Sequence, residues 1–324
     1  MAVPYPIDPA DWIEDQIDRL VPNPPPDPCR SLALIGNGWD LALGCRSSFA
    51  DFREYFESLS LADLADGDDV LMRIFEQIEE IAGPGWRDFE AGLGSLNLPA
   101  GVADPGYADD GDLSELDQLS ADGHNYGYEF RSHLSGTFGD WIGQIPAPTL
   151  PARPNARALV DTSDALLTFN YTDILQSVFG VDDRRILHIH GRVHGSTPLY
   201  FGCAPPTRNR WRATGSNSLT TTVREEALEA LLAELTKDPR IGLIDRFLEH
   251  ADTLSRIGSY GFSFGDADYP YVRHLIDHYC DSGTVWTNHC YSPHGDLADS
   301  PDAENFHEAL DALGFPGTTK LAST

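Results

Sequence analysis

Apolar residues along this chain fall into two patterns. Short runs such as Leu32-Ala33-Leu34-Ile35 and Leu166-Leu167-Thr168-Phe169 end abruptly in polar residues. Buried strands read this way where they leave a sheet. Other stretches repeat apolar positions at helical spacing. Phe49, Phe52, Tyr55 and Phe56 line one such face, and "DDVLMRIFEQIEEIAG", "VREEALEALLAEL", "RIGLIDRFLEHADTL" and "YPYVRHLIDHYC" continue the pattern. The segments "RILHIHG", "LYFG", "RIGSYGFSFG" and "GTVWTNHCYS" predict further strands.

From residue 163 onward strands and helices alternate. That order predicts an α/β fold with a Rossmann-type parallel sheet and helices on both faces. Residues 45 to 150 read as a largely helical insertion after the first βα unit, broken by a loop at 99 to 125 and ending in the linker "PAPTLPARP". Residues 1 to 30 read as a Pro-rich arm, and residues 31 to 324 as one domain carrying the insertion.

Charge narrows the function classes. The 324 residues carry a formal net charge of −29, with Lys237 and Lys320 the only lysines. Such acidity lacks the positive footprint of a nucleic-acid binder and disfavours docking on anionic membranes. No apolar run reaches the ~18 residues of a membrane helix, and the acidic N-terminal stretch does not read as a signal peptide. Cys29, Cys45, Cys203, Cys280 and Cys290 are dispersed, without a CxxC pair. They read as reduced thiols of a cytoplasmic protein and cannot build a four-cysteine zinc ribbon.

In an open parallel sheet, ligands sit beyond the carboxyl ends of the strands. Four polar clusters fall there: Gly36-Asn37-Gly38-Asp40, Asn170-Tyr171-Thr172-Asp173, His188/His190-Gly191, and Ser263 through Asp268. The Gly-Asn-Gly turn suits backbone amides facing a phosphate; equally it suits a tight strand-to-helix turn. Asn170 suits a site residue or a helix cap. Period-two alternation puts His188 and His190 on the same side of their strand.

Taken in order, "IGNGWDLALG", "SFADF", "W-RDFE", "TFNYTDIL", "LHIHG", "LTKDPRIGLI" and "YGFSFGDADYPYV" resemble the AbiH proteins of phage abortive infection, over roughly residues 31 to 290. AbiH proteins are similar in turn to sirtuin-like enzymes that bind NAD on a Rossmann-type sheet. The resemblance implies NAD as substrate, no metal, and a homo-oligomer or a partner protein of a defence system. It implies catalytic roles for Asn170 and His190. Binding roles follow for Gly36, Asn37, Gly38, Asp40, Phe169, Thr172, Gly261, Ser263 and Asp268. Two positions depart from the pattern: Trp39 stands where many relatives have Phe, and Thr172 stands where sirtuin-like enzymes often carry an acid.

The implied reaction, cleavage of the nicotinamide-ribose bond, passes through an oxocarbenium-like state. Asn170 could orient water or a ribose hydroxyl, and His190 could take a proton. Two other readings stand beside it. Gly261-Phe262-Ser263-Phe264-Gly265 is a literal G-x-S-x-G, with Asp296 and His307 available as serine-hydrolase partners. Alternatively, the fold could bind a nucleotide as a sensor or scaffold without turnover.

Overall fold

The computed structural model describes residues 28–58, 69–83, 89–96, 134–195, 199–204, 219–265, 267–290 and 300–324, with Pro25, Trp86, Tyr128, Arg131, Ser132 and Leu297. The arm over residues 1–30 lies almost wholly outside these residues, and the loop at 99–125 lies wholly outside them, as does Asp296. The chain divides into two compact units. One comprises Met1–Arg46, Ile145–Leu199 and Pro239–Thr324; the other comprises Ser47–Gln144 and Tyr200–Asp238.

The first unit holds a six-stranded, all-parallel sheet: β1 (Ser31–Ile35), β2 (Ala165–Thr168), β3 (Ile186–His188), β4 (Arg256–Tyr260), β5 (Val285–Cys290) and β6 (Thr318–Ser323). Their spatial order is β3-β2-β1-β4-β5-β6. The chain builds outward from β1 to β3, then returns to the other side of β1 and builds outward again. That reversal makes the crevice between the ends of β1 and β4 the place where such a sheet takes a ligand. The expected α/β, Rossmann-type sheet with helices on both faces is present.

Every residue of β1 and β2 is buried, which is why both read as apolar runs and not as alternations. Their side chains nevertheless alternate between two cores. Leu32, Leu34, Ala165 and Leu167 pack with α8 (Ile241–Phe247), α9 (Tyr269–Tyr279) and α10 (Pro301–Leu313). Ala33, Ile35 and Leu166 pack on the opposite face with Trp39 of α1 (Gly38–Ala42), Val160 of α5 (Pro154–Thr162) and Ile174 of α6 (Ile174–Ser177). Helix α10 is bounded by Ser300, whose hydroxyl accepts from the Ala303 N–H, and by Gly314 at φ +70°.

The second unit is helical: α2 (Phe49–Ser58), α3 (Asp69–Ala82), α4 (Phe89–Leu93), a helical stretch at 134–144, and α7 (Leu219–Leu235). Aromatic rings make its core. Phe52 lies 5.1 Å from both Phe138 and Trp141, and Trp86 stacks on Phe89 at 5.1 Å and 15°. The "W-RDFE" and "LTKDP" motifs meet in this unit, where Lys237 Nζ pairs with Glu90 Oε1 at 3.0 Å. Residues 199–202, expected as a strand, form none; one isolated bridge joins Cys203 to Thr236.

All five cysteines are free thiols, four of them buried. Burial pushes Cys29 and Cys45 up to about 11 and Cys280 up to about 12. Thiolate is the reactive form, so an aromatic disulfide reagent should label at most one thiol promptly in the folded protein and all five after unfolding. Prompt labelling of two or more would contradict this burial.

Candidate active site

Two turns abut at the switch point. The Gly36 N–H donates to Tyr260 O at 3.1 Å, and the Gly38 N–H donates to Gly261 O at 3.0 Å. A Cβ on Gly36 would stand 2.3 Å from Gly261 O, and one on Gly38 would stand 2.6 Å from Gly261 Cα. On Gly261, at φ +60°, a Cβ would stand 2.3 Å from Trp39 N. Glycine is needed at these positions because two backbones fill the space that side chains would take.

Of the two uses that the sequence of this turn allows, these contacts supply the close strand-to-helix approach. The N–H groups of Gly36, Gly38 and Trp39 all donate within the fold, the last to Gly36 O at 2.9 Å. None of the three is left to face a diphosphate. Asn37 sits exposed at the tip of the turn.

Behind this turn lies a buried polar cluster. Asp40 is 1% exposed, and its Oδ2 accepts from Thr172 Oγ1 at 2.7 Å. The Asn170 side chain also donates to this carboxylate. Burial raises Asp40 to about 7, against the downward pull of the Thr172 and Asn170 hydrogen bonds. Thr172, which stands where sirtuin-like enzymes often carry an acid, thus holds an acid from elsewhere: the carboxyl arrives from α1. With its amide nitrogen committed to Asp40, Asn170 keeps a buried Oδ1 that has no hydrogen-bond partner.

The two histidines have separate surroundings. His188 Nδ1 lies 3.2 Å from the Asn170 carbonyl oxygen, and its Nε2 lies 2.8 Å from Gln176 Nε2. Nδ1–H donating and Nε2 accepting satisfies both contacts in one neutral tautomer. Burial pushes His188 down to about 4, so it stays neutral and props the Asn170 backbone. His190 is 2% exposed and lies among rings, with Phe169 at 5.6 Å, Tyr271 at 5.8 Å and Tyr171 stacked at 6.0 Å and 28°. Its Nε2 is 3.8 Å from Asp268 Oδ1.

The expected shared face of His188 and His190 does not survive the end of the strand. β3 stops at His188, and the Gly191 N–H donates to His188 O at 3.1 Å, with Gly191 at φ +75°. This turn swings His190 toward Phe169 and Tyr271, on the core face opposite Ile174. Period-two alternation holds only while the backbone remains extended.

Phe169 is itself a core residue, 4.6 Å from the Phe262 ring. Asp268 precedes α9 at its N-cap position. Ser263 is exposed, and the loop carrying it runs from the end of β4 at Tyr260 to the start of α9 at Tyr269. A nucleophile elbow needs a sharp, strained strand-to-helix turn at the serine; here the positive φ values fall on Gly261 and Phe264. The G-x-S-x-G spacing thus occurs without the elbow's geometry.

The structure brings Asp40, Asn170 and Thr172 into one hydrogen-bonded group, and His190, Phe169 and Asp268 into a second. The flanks of Asn170 connect them, since both Phe169 and Tyr171 touch the His190 ring. Tyr171, named in its polar cluster but given no role there, belongs to these surroundings, as do Tyr271 and Gln176, which the sequence did not mark. Gln176 acts through a fold contact with His188 that no motif marks.

A family model described as "Bacteriophage abortive infection AbiH" matches residues 32–289. The chain belongs to the AbiH family. Its membership places the protein in phage abortive infection. The AbiH match runs from β1 into β5 and takes in both groups of residues described in this site. No curated protein matches the chain. Among the described residues, no helix is long and apolar enough to cross a membrane, and no group of three His, Cys, Asp or Glu side chains could hold a metal ion.

Proposed function

We propose that this AbiH protein cleaves the nicotinamide-ribose bond of NAD, depleting the cofactor in infected cells. The observation that carries this reading is Asn170: just beyond the carboxyl end of β2, its Oδ1 is buried without a hydrogen-bond partner, and its chain neighbours Phe169 and Tyr171 both approach the His190 ring. A buried acceptor left unmatched costs about 1–3 kcal/mol, and a ribose hydroxyl or a water would match it.

In this scheme NAD and water give ADP-ribose, nicotinamide and a proton. The bond to the pyridinium nitrogen breaks with its electron pair moving to that nitrogen, so nicotinamide leaves neutral. Asn170 Oδ1 orients a hydroxyl at the developing oxocarbenium. His190 takes the proton from the attacking water, with Asp268 nearby to favour the imidazolium. The aromatic surround of His190 excludes bulk water.

The test is purified protein incubated with NAD, with nicotinamide and ADP-ribose followed by chromatography. Asn170→Ala and His190→Ala should each lower turnover by about 10²–10⁴-fold. Undiminished hydrolysis in both variants would remove these assignments. NAD binding with no turnover under any condition would instead favour a sensor.

A further inference from the structure

We propose that Asp40 is the positioning residue of this site, holding Asn170 with its amide nitrogen turned inward and its carbonyl oxygen presented to the ligand. Asn170 follows β2, and Asp40 lies in α1, which follows the neighbouring strand β1. A carboxylate only accepts hydrogen bonds. With Thr172 donating to Asp40 at 2.7 Å and the Asn170 amide donating beside it, the Asn170 amide has one orientation, and its Oδ1 faces away from Asp40. That Oδ1 is the buried atom without a partner. Asp40 thereby selects what Asn170 can recognise: a donor such as a hydroxyl or water.

Protonation reverses this selection. A neutral Asp40 carries an O–H donor, which the Asn170 carbonyl oxygen accepts once the amide turns over, leaving NH₂ toward the ligand. The groups that set the titration of Asp40 are its burial, Thr172 and Asn170, with no cation among them. The titratable group coupled to Asp40 is the Cys45 thiol, which lies at about 11, raised by burial and then by Asp40. It does not change charge near neutrality.

This inference rests on the proposed site, and two readouts separate their failures. The first needs no turnover. In an amide ¹⁵N–¹H spectrum, the Asn170 side-chain NH₂ pair, assigned by its loss in Asn170→Ala, should shift with one titration near neutral pH. That titration should move to higher pH in Thr172→Val, which removes one donor to the carboxylate, and vanish in Asp40→Asn. The second is the kcat profile on NAD, expected to fall about tenfold per pH unit below the same midpoint, to move in the same direction in Thr172→Val, and to lose this limb in Asp40→Asn. An NH₂ pair that does not titrate, or that titrates unchanged in Asp40→Asn, overturns the role of Asp40. A coupled titration without NAD turnover upholds it and counts instead against NAD hydrolysis.

Discussion

Gly261→Ala should cost the sheet unit at least about 3 kcal/mol, the range of severe backbone and overpacking defects. The added Cβ would lie 2.3 Å from Trp39 N and 2.4 Å from the Gly38 carbonyl carbon. Both are backbone atoms, held by hydrogen bonds from Trp39 N to Gly36 O and from Gly38 N to Gly261 O. Neither turn can retreat without breaking the stitch between β1 and β4. Gly180 provides the comparison: its φ is +67°, yet nothing lies within 4 Å of an added Cβ. Gly180→Ala should therefore cost only the left-handed penalty, about 1 kcal/mol. Urea unfolding followed by circular dichroism measures both. Equal midpoints for the two variants would show that close approach does not set the demand for glycine.

Asp40→Asn should make the protein more stable above neutral pH while impairing the site. Asp40 moves from 3.8 to about 7 on folding, because burial disfavours its charge. Below about pH 4 the carboxyl is protonated in both states and the shift has no effect on stability. Between about pH 4 and 7 the unfolded chain releases a proton that the folded chain keeps, so stability falls as pH rises. Above about pH 7 the loss levels off near 4 kcal/mol, at about 1.4 kcal/mol per unit. An amide at position 40 escapes that penalty but accepts one hydrogen bond less well, a loss of about 1–2 kcal/mol. The net gain of about 2 kcal/mol at pH 8 should disappear at pH 4. If Asp40→Asn were equally destabilising at both pH values, Asp40 would be an ordinary structural carboxylate. A residue that weakens the fold at working pH is the kind retained for function.

The strands β1 and β2 were legible because strands buried on both faces leave unbroken apolar runs. β6 was not: "TTKLAS" is mostly polar, as befits a strand at the sheet's edge. Helix α5 was hidden by its prolines, although Pro154 at its start is a sound helix opening. The apolar "LYFG" lacked a neighbouring strand to pair with. Within the site, Asn170, Thr172 and Asp40 were each visible as residues at strand ends. Their bonding was not, since Thr172 and Asp40 stand 132 residues apart. The same limit applied to the Gly36 turn, whose sequence fits a phosphate cradle and a close approach equally well. Only the position of Gly261 distinguishes them.

Lys320 lies exposed in β6, the outer strand beside β5. The chain has two lysines, and the other is committed to Glu90. An edge strand offers unpaired backbone groups to any extended chain that meets it, and a charged side chain there hinders such pairing. β3, at the other edge, is only three residues long. One edge is thus guarded by charge and the other by brevity, which disfavours joining copies of this protein by continuing the sheet and leaves helical or loop surfaces as the better routes to assembly.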